Sequence, residues 1–395
     1  MIWLCAYVSL WLISNLPPGR TKTLKDQLDL KEIQKILDSI GASGSYPMAL
    51  ATLVKVRGSS YRKPGARLLI MKDGSTVGSI SGGCVEQDIV KKAPGLMHSG
   101  EPQLAVFDMT SPDDELWGYG QGCNGVLTIL VEPLTPTSLL QFDLIRSVHE
   151  KRIEGVIATI THVQGELNVK TGSRLFLAPT GTIRENVKNP FVTVAIAEEA
   201  ERSRLGSSHT TTLRFTEGSI DVFFEVVQPP IALLIAGAGA DAIPVYRLAK
   251  ELGWHVTVLD HRPAFVTRER FPHADSLLIL EPQKLNGSFK TDNRSAAVIM
   301  THQINHDLAL VPTLLHNDFV YVGLLGPKNR KEAILLRLEQ QGIRFTTGER
   351  EKLHGPIGLN IGAETPEEIA VAIIAEIQAV MQSRSGGFMR DGKGL

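Results

Sequence analysis

The chain has 395 residues, of which 43% are hydrophobic and 21% charged, with a formal net charge of -1 at pH 7. These values fit a globular protein of two domains and exclude wholesale disorder and a multi-span membrane protein. The near-neutral charge leaves no basic footprint for phosphate-backbone binding, so no nucleic acid is expected as a partner.

Residues 1–27 read as an apolar leader or extension. Met1 to Leu16 is a strongly apolar run closed by Pro17-Pro18-Gly19-Arg20. It is shorter than the ~20 residues that cross a bilayer, and it lacks the basic start and the small-x-small site of a secretory signal. A translated upstream extension is the first expectation, a membrane-associating leader the second and a secretory signal the third.

From Leu28, apolar residues at Leu30, Ile33, Ile36, Leu37 and Ile40 recur at helical spacing until Gly41. Strands follow at Ala49–Val56, Ala66–Met71 and Val77–Ile80, with a turn at Asp73-Gly74, then a helix over Val85–Ala93 and strands at Gln103–Met109 and Gly125–Glu132. A helix from Thr137 to His149, strands near 155–162 and 174–178, a helix near 192–204 and a strand at Ile220–Val227 complete an α+β domain over 28–227. No repeat of solenoid period is visible. The Gln228-Pro229-Pro230 step marks the boundary, because two prolines break regular structure just before a new apolar strand.

Beyond it strands and helices alternate, which predicts a doubly wound parallel sheet, a Rossmann-like α/β domain over 228–383. The strands are Ile231–Ala236, His255–Leu259, Ala296–Met300 and Phe319–Leu324; the helices are Ala242–Leu252, Leu308–Leu315, Lys331–Gln341 and Glu367–Met381. Residues 384–395 form a glycine-rich flexible tail.

Two constellations carry chemistry. Cys84 lies in Ser81-Gly82-Gly83-Cys84-Val85-Glu86 and Cys123 in Gly120-Gln121-Gly122-Cys123-Asn124-Gly125. Glycine neighbours keep a sulfur approachable, and a helix N-terminus favours the thiolate that binds soft metals or attacks sulfur. The only other cysteine is Cys5; three in so long a chain argue against a disulfide framework and for a reducing, cytoplasmic setting. Arg57, Arg62, Lys63 and Arg67 surround the Gly58–Gly65 hairpin as donors for an anionic group. Glu86 reads as an ordinary first-turn acid.

The second constellation is Gly237-Ala238-Gly239-Ala240-Asp241-Ala242, a G-x-G-x-x-A at a strand-to-helix turn, with Asp260 ending the next strand. Gly237 suits the tight turn, Gly239 lets backbone approach a pyrophosphate, and Asp260 is placed to accept from a ribose diol. Asp241 would repel a pyrophosphate there. His302 and His306 fall where the nucleotide crevice should open, and Lys328 and Arg330 start a later helix.

These pieces together resemble the XdhC/CoxI family, accessory factors for molybdenum hydroxylases. In the first half the resemblance rests on Gly58-Ser59-Ser60-Tyr61-Arg62, Pro64-Gly65-Ala66-Arg67, Gly78 through Glu86, and Gly122-Cys123-Asn124-Gly125. In the second half it rests on the Gly237 loop, Asp260-His261-Arg262, Thr301-His302, Gly323-Leu324-Leu325-Gly326, His354 through Leu359, and Thr365-Pro366-Glu367-Glu368. The resemblance implies binding of the molybdenum cofactor, as molybdopterin or its cytosine dinucleotide form, support of its sulfuration, and delivery to an apo-hydroxylase. It implies Cys84 and Cys123 as metal ligands, and Arg62, Arg67, Gly82, Gly83, Gly237, Gly239, Asp260 and His302 as cofactor-binding residues. The apo-enzyme of a molybdenum hydroxylase is the expected partner, a cysteine desulfurase a second one, and a homodimer the default assembly. The rival reading is an NAD(P)-dependent oxidoreductase drawing on His302, His306 and Lys328; a regulatory nucleotide sensor is a third.

Overall fold

The computed structural model describes residues 30–43, 47–83, 85–110, 125–178, 183–204, 206–285 and 291–391. The first half holds helix α1 (Leu30–Ser43), strands β1 (Ala49–Gly58), β2 (Arg67–Ile70) and β3 (Thr76–Gly78), helix α2 (Glu86–Ser99), and strands β4 (Gln103–Asp108) and β5 (Gly125–Pro133). The same series then recurs: helix α3 (Pro136–Lys151), β6 (Gly155–Gly165), β7 (Arg174–Leu177), β8 (Ile183–Glu185), helix α4 (Pro190–Ser203), β9 (His209–Phe215) and β10 (Gly218–Val227). Each series closes an antiparallel five-stranded sheet with the same order, β3-β2-β1-β5-β4 and β8-β7-β6-β10-β9.

The two units are copies in detail. Gly65 N donates to Leu53 O and Gly172 N to Ile160 O, both at 2.8 Å, and the register of β1 and of β6 slips by one residue just after those two positions. The run Lys63-Pro64-Gly65-Ala66-Arg67-Leu68 corresponds to Lys170-Thr171-Gly172-Ser173-Arg174-Leu175, and Leu50-Ala51-Thr52 to Ile157-Ala158-Thr159. The duplication is longer than any solenoid period, which is why the sequence shows no repeat on that scale.

The copies exchange side chains. Arg67 of the first unit reaches Glu225 of the second through two hydrogen bonds of 2.8 and 2.6 Å, and Arg174 of the second reaches Glu132 of the first. Each arginine also donates to the carbonyl of the glycine two residues before it, Gly65 or Gly172. Reciprocal contacts of this kind mark an isologous, two-fold relation between the units. All four charged residues are at most 3% exposed.

Layering follows from strand alternation, since successive side chains face opposite sides of a sheet. Ala49, Ala51 and Leu53 of β1 point toward α2, with Ile89, Ala93 and Leu96. Leu50 and Leu69 face the other way, into a core shared with Ile36 of α1, Phe142 and Ile145 of α3, and Ile157 and Phe176 of the second sheet. Helices α1 and α3 therefore lie in the core common to both sheets. Thr135 opens α3 with a capping box and Pro136 at its first turn; Asn189 caps α4 by accepting from Phe191 N and Val192 N.

The second half is a six-stranded, wholly parallel sheet: β11 (Ala232–Ala236), β12 (His255–Asp260), β13 (Ser276–Ile279), β14 (Ser295–Ile299), β15 (Tyr321–Leu324) and β16 (Leu353–His354), in the order β13-β12-β11-β14-β15-β16. Helices α5 (Ala242–Glu251), α6 (Ile304–Leu315), α7 (Lys328–Gln340), α8 (Thr347–Lys352) and α9 (Pro366–Met381) complete it. Apolar side chains cover both faces of its central strands, which is why β11 and β14 read as unbroken apolar runs. The topological switch lies between β11 and β14, where Rossmann folds bind ligands. Arg152, just after α3, joins the halves through Asp292 at 2.8 Å and Pro230 O at 3.0 Å.

Candidate functional site

Cys84 and Cys123 lie outside the described residues, as do 111–122 and Asn124. The backbone on either side of Cys84 centres on Glu86. Its carboxylate accepts from the amides of Ile80 (3.2 Å), Ser81 (2.9 Å), Gly82 (3.1 Å), Gly83 (3.0 Å) and Val85 (3.2 Å), from the Ser79 hydroxyl at 3.0 Å, and from the Ser81 hydroxyl. Burial alone would raise the Glu86 pKa; the hydrogen bonds donated by Ser81, with those of Ser79 and of the loop amides, outweigh it and bring the pKa down to about 2. Five amides of the segment leading into this helix are therefore already spent on a carboxylate.

Gly82 and Gly83 have φ of 84° and 119°, which only glycine adopts cheaply. A Cβ on Gly82 would also lie 3.0 Å from the Tyr61 ring. Tyr61 is 76% exposed and brings the Gly58–Gly65 hairpin against the glycine loop. Glu32 of α1 ties the two together: one oxygen accepts from Arg62 at 2.8 Å and the other from Ser79 N at 3.2 Å. Sequence reasoning missed Glu32, whose only signal is a first-turn acid on an otherwise apolar-faced helix.

Arg67 requires a correction. It was expected beside a cofactor phosphate, but it lies 1% exposed, engaged with Glu225, Gln141 and Gly65 O. A charge read from sequence looks like a surface donor; its partner is 158 residues away.

The duplication supplies an internal control. Features common to both units, such as the arginine–glutamate exchange, belong to the fold. The second unit passes from β8 to α4 through a short link capped by Asn189, whereas the first inserts the longer Ser79–Val85 loop built on Glu86. Tyr61 and Arg62 correspond to Asn168 and Val169. The glycine–serine loop, Tyr61, Arg62 and Glu32 are thus additions that the topology does not need.

At the Rossmann switch, Gly237 has φ 114°, and a Cβ there would lie 2.4 Å from Met300 O of the neighbouring strand connection. The crevice is lined by Gly237, Asp260, His261, Arg262, Thr301 and His306, among others, and by no described residue of the Glu86 loop. Asp260 is only 4% exposed. It accepts from Ala238 N (2.8 Å), from Arg262 N (3.0 Å) and from the Arg262 guanidinium (2.9 and 2.8 Å). Burial pushes its pKa up, but the Arg262 side chain and the Ala238 amide prevail and lower it to about 2. Both its oxygens are engaged, so the expected ribose acceptor is occupied by Arg262. His302 is 64% exposed at its side chain, with φ 56°, and pairs with Asp241 at 2.8 Å; His306 meets His261 edge-on at 4.7 Å. Arg330 is held through Nε and Nη2 by buried Asp307, at 2.9 and 2.6 Å. Among the described residues no group of three or more His, Cys, Asp or Glu could hold a metal, and no helix is long and apolar enough to cross a membrane.

The molecule is a Rossmann-type α/β protein whose switch-point crevice holds Asp260 already engaged by Arg262, and whose most elaborately built loop sits on a duplicated α+β unit. Residues 233–377 match the XdhC Rossmann domain and residues 43–108 the XdhC and CoxI family. A probable xanthine dehydrogenase subunit of Bacillus subtilis is 33% identical over 330 residues, 83% of this chain and 91% of that protein. The molybdenum cofactor insertion chaperone PaoD of Escherichia coli is 22% identical over 331 residues, 84% and 82% of the two chains. A crystal structure described as a xanthine dehydrogenase from Bacillus halodurans superposes with a TM-score of 0.72 at 28% identity, covering 90% of this chain and 96% of that one. The chain belongs to the XdhC and CoxI family.

Proposed function

We propose that this protein is an accessory factor that binds the molybdenum cofactor, supports its sulfuration, and delivers it to a xanthine dehydrogenase or CO dehydrogenase-type hydroxylase in the cytoplasm. The observation that carries the reading is the Ser79–Val85 loop, organised by Glu86 in a segment whose sequence includes Cys84, present in one copy of a duplicated unit and lacking in the other. The names of the relatives, a cofactor insertion chaperone and a probable xanthine dehydrogenase subunit, point the same way. The donor types in the sequence suit a soft metal centre, with the thiols of Cys84 and Cys123 as ligands in the proposal and Arg62, partly exposed in the Gly58–Gly65 hairpin, as a donor to an anionic group. Bound molybdenum would supply the oxo- and sulfur-transfer chemistry of the client enzyme. The apo-hydroxylase is the partner this role requires; a cysteine desulfurase and a second copy of the chain are further partners in the proposal.

The NAD(P)-dependent oxidoreductase reading is weakened because Asp260 is filled by Arg262 and Ala238 N. The test is mass-spectrometric detection of cofactor retained by the full chain purified from cells that make it, compared with Cys84→Ala and Cys123→Ala. Loss of retention in either variant is expected; undiminished retention in both removes the thiols from the role.

A further inference from the structure

In a dinucleotide-binding turn the second glycine leaves its face bare so that a pyrophosphate can rest against backbone at the helix N-terminus. Here that face is covered. The Asp241 side chain folds back until its Oδ1 lies 2.5 Å from where a Cβ on Gly239 would stand. Its Oδ2 is held by His302 Nε2 at 2.8 Å, from the connection after β14 on the other side of the switch. His302 has φ 56°, a left-handed conformation that a residue with a side chain adopts uncommonly. Asp241 gives α5 no side-chain cap, so helix termination does not explain its placement.

Among the described residues, two arginines of this region are committed elsewhere. Arg270 is spent on the carbonyls of Ala238 (2.8 Å), Phe265 (3.0 Å) and Gly239 (3.2 Å), and Arg262 on Asp260. The bare glycine face, the free ribose acceptor and the free cation that a dinucleotide would use are each already taken.

We propose that Asp241, held across the switch by His302, is a specificity determinant that closes this Rossmann crevice to pyrophosphate-linked dinucleotides such as NAD(P). The crevice is left to ligands that present no anionic linker at the Gly239 turn. This inference is independent of which cofactor the glycine–serine loop serves.

NADH fluorescence titration of the full chain tests it, with circular dichroism confirming that each variant is folded. The native protein is expected to show no saturation at millimolar NADH. Asp241→Ala should gain binding at least tenfold, and Asp241→Asn, which keeps the shape and removes the charge, should gain part of it. His302→Ala, which leaves the carboxylate in place, should gain little. Saturable NADH binding by the native protein, no gain in either Asp241 variant, or a gain in His302→Ala as large as in Asp241→Ala would each overturn the assignment. Cofactor retention, measured separately, reports on the proposed accessory role.

Discussion

Replacing Arg67 with methionine strands Glu225 in the core shared by the duplicated units. Both residues are almost wholly buried, at 1% and 2% side-chain exposure, and the guanidinium supplies both donors to the carboxylate. Removing one partner of a buried ion pair costs about 3–5 kcal/mol, because the remaining charge stays desolvated, whereas replacing both with apolar residues of similar volume is often neutral. For a unit of about 200 residues that cost lowers the melting temperature by roughly 6–20 °C. Scanning calorimetry should therefore find Arg67→Met strongly destabilised and the double variant Arg67→Met, Glu225→Leu restored to within about 1 kcal/mol of the native protein. By the two-fold relation, Arg174→Met should lose a similar amount against Glu132. A single variant that loses under about 1 kcal/mol, or a double variant no better than the single, would refute the reasoning. If Arg67 served a cofactor instead, occupancy per folded molecule would fall while stability held.

Glu86→Gln keeps the side chain's size but removes the charge that gathers five loop amides. Hydrogen exchange at residues 80–85 should accelerate about tenfold or more, consistent with hydrogen bonds to a charged group worth roughly 1.5–3 kcal/mol; unchanged exchange would rule out the carboxylate as organiser. His149 is pushed down to about 4 by burial and then by the Arg152 charge, so it is neutral in the fold. Its contribution is full above pH 6.5 and is lost as pH falls from 6.5 toward 4, so His149→Phe should flatten the urea midpoint over that window, and an unaltered slope would contradict this. Glycine substitutions should separate by sign. Gly237→Ala drives a Cβ to 2.4 Å from Met300 O at positive φ and should destabilise the sheet, whereas Gly95→Ala, inside α2 with nothing within 4 Å, should stabilise by about 0.5–1 kcal/mol; thermal melts shifting the same way for both would count against the local geometry.

The Rossmann half was legible because parallel strands buried on both faces write themselves as apolar runs, and Gly237 and Asp260 punctuate the first two. Three edge strands were not: β13 has four residues, β16 only two, and β9, His-Thr-Thr-Thr-Leu-Arg-Phe, offers the core only Leu213 and Phe215 near its end. The duplication stayed hidden because its copies share few identical residues, such as Ala51 with Ala158, Gly65 with Gly172 and Arg67 with Arg174, and because the connections from β3 to α2 and from β8 to α4 differ in length. The glycine–serine loop could be found from its residues, but the task of Glu86 could not. A first-turn acid is common on helices, and only coordinates reveal that this one turns backward to collect amides from the segment before it. Asp241 is the reverse case, since its charge alone signalled a departure from the dinucleotide pattern and the structure supplied His302 as its anchor.

Because each copy carries a base whose acid lies in the other, neither half is electrically complete alone. A polypeptide ending near Pro133 would carry Arg67 and Glu132 as orphans of opposite sign, matched only by a second such polypeptide turned head to tail against it. The present chain thus holds within one polypeptide the charge complementarity that two identical ones would otherwise have to supply to each other.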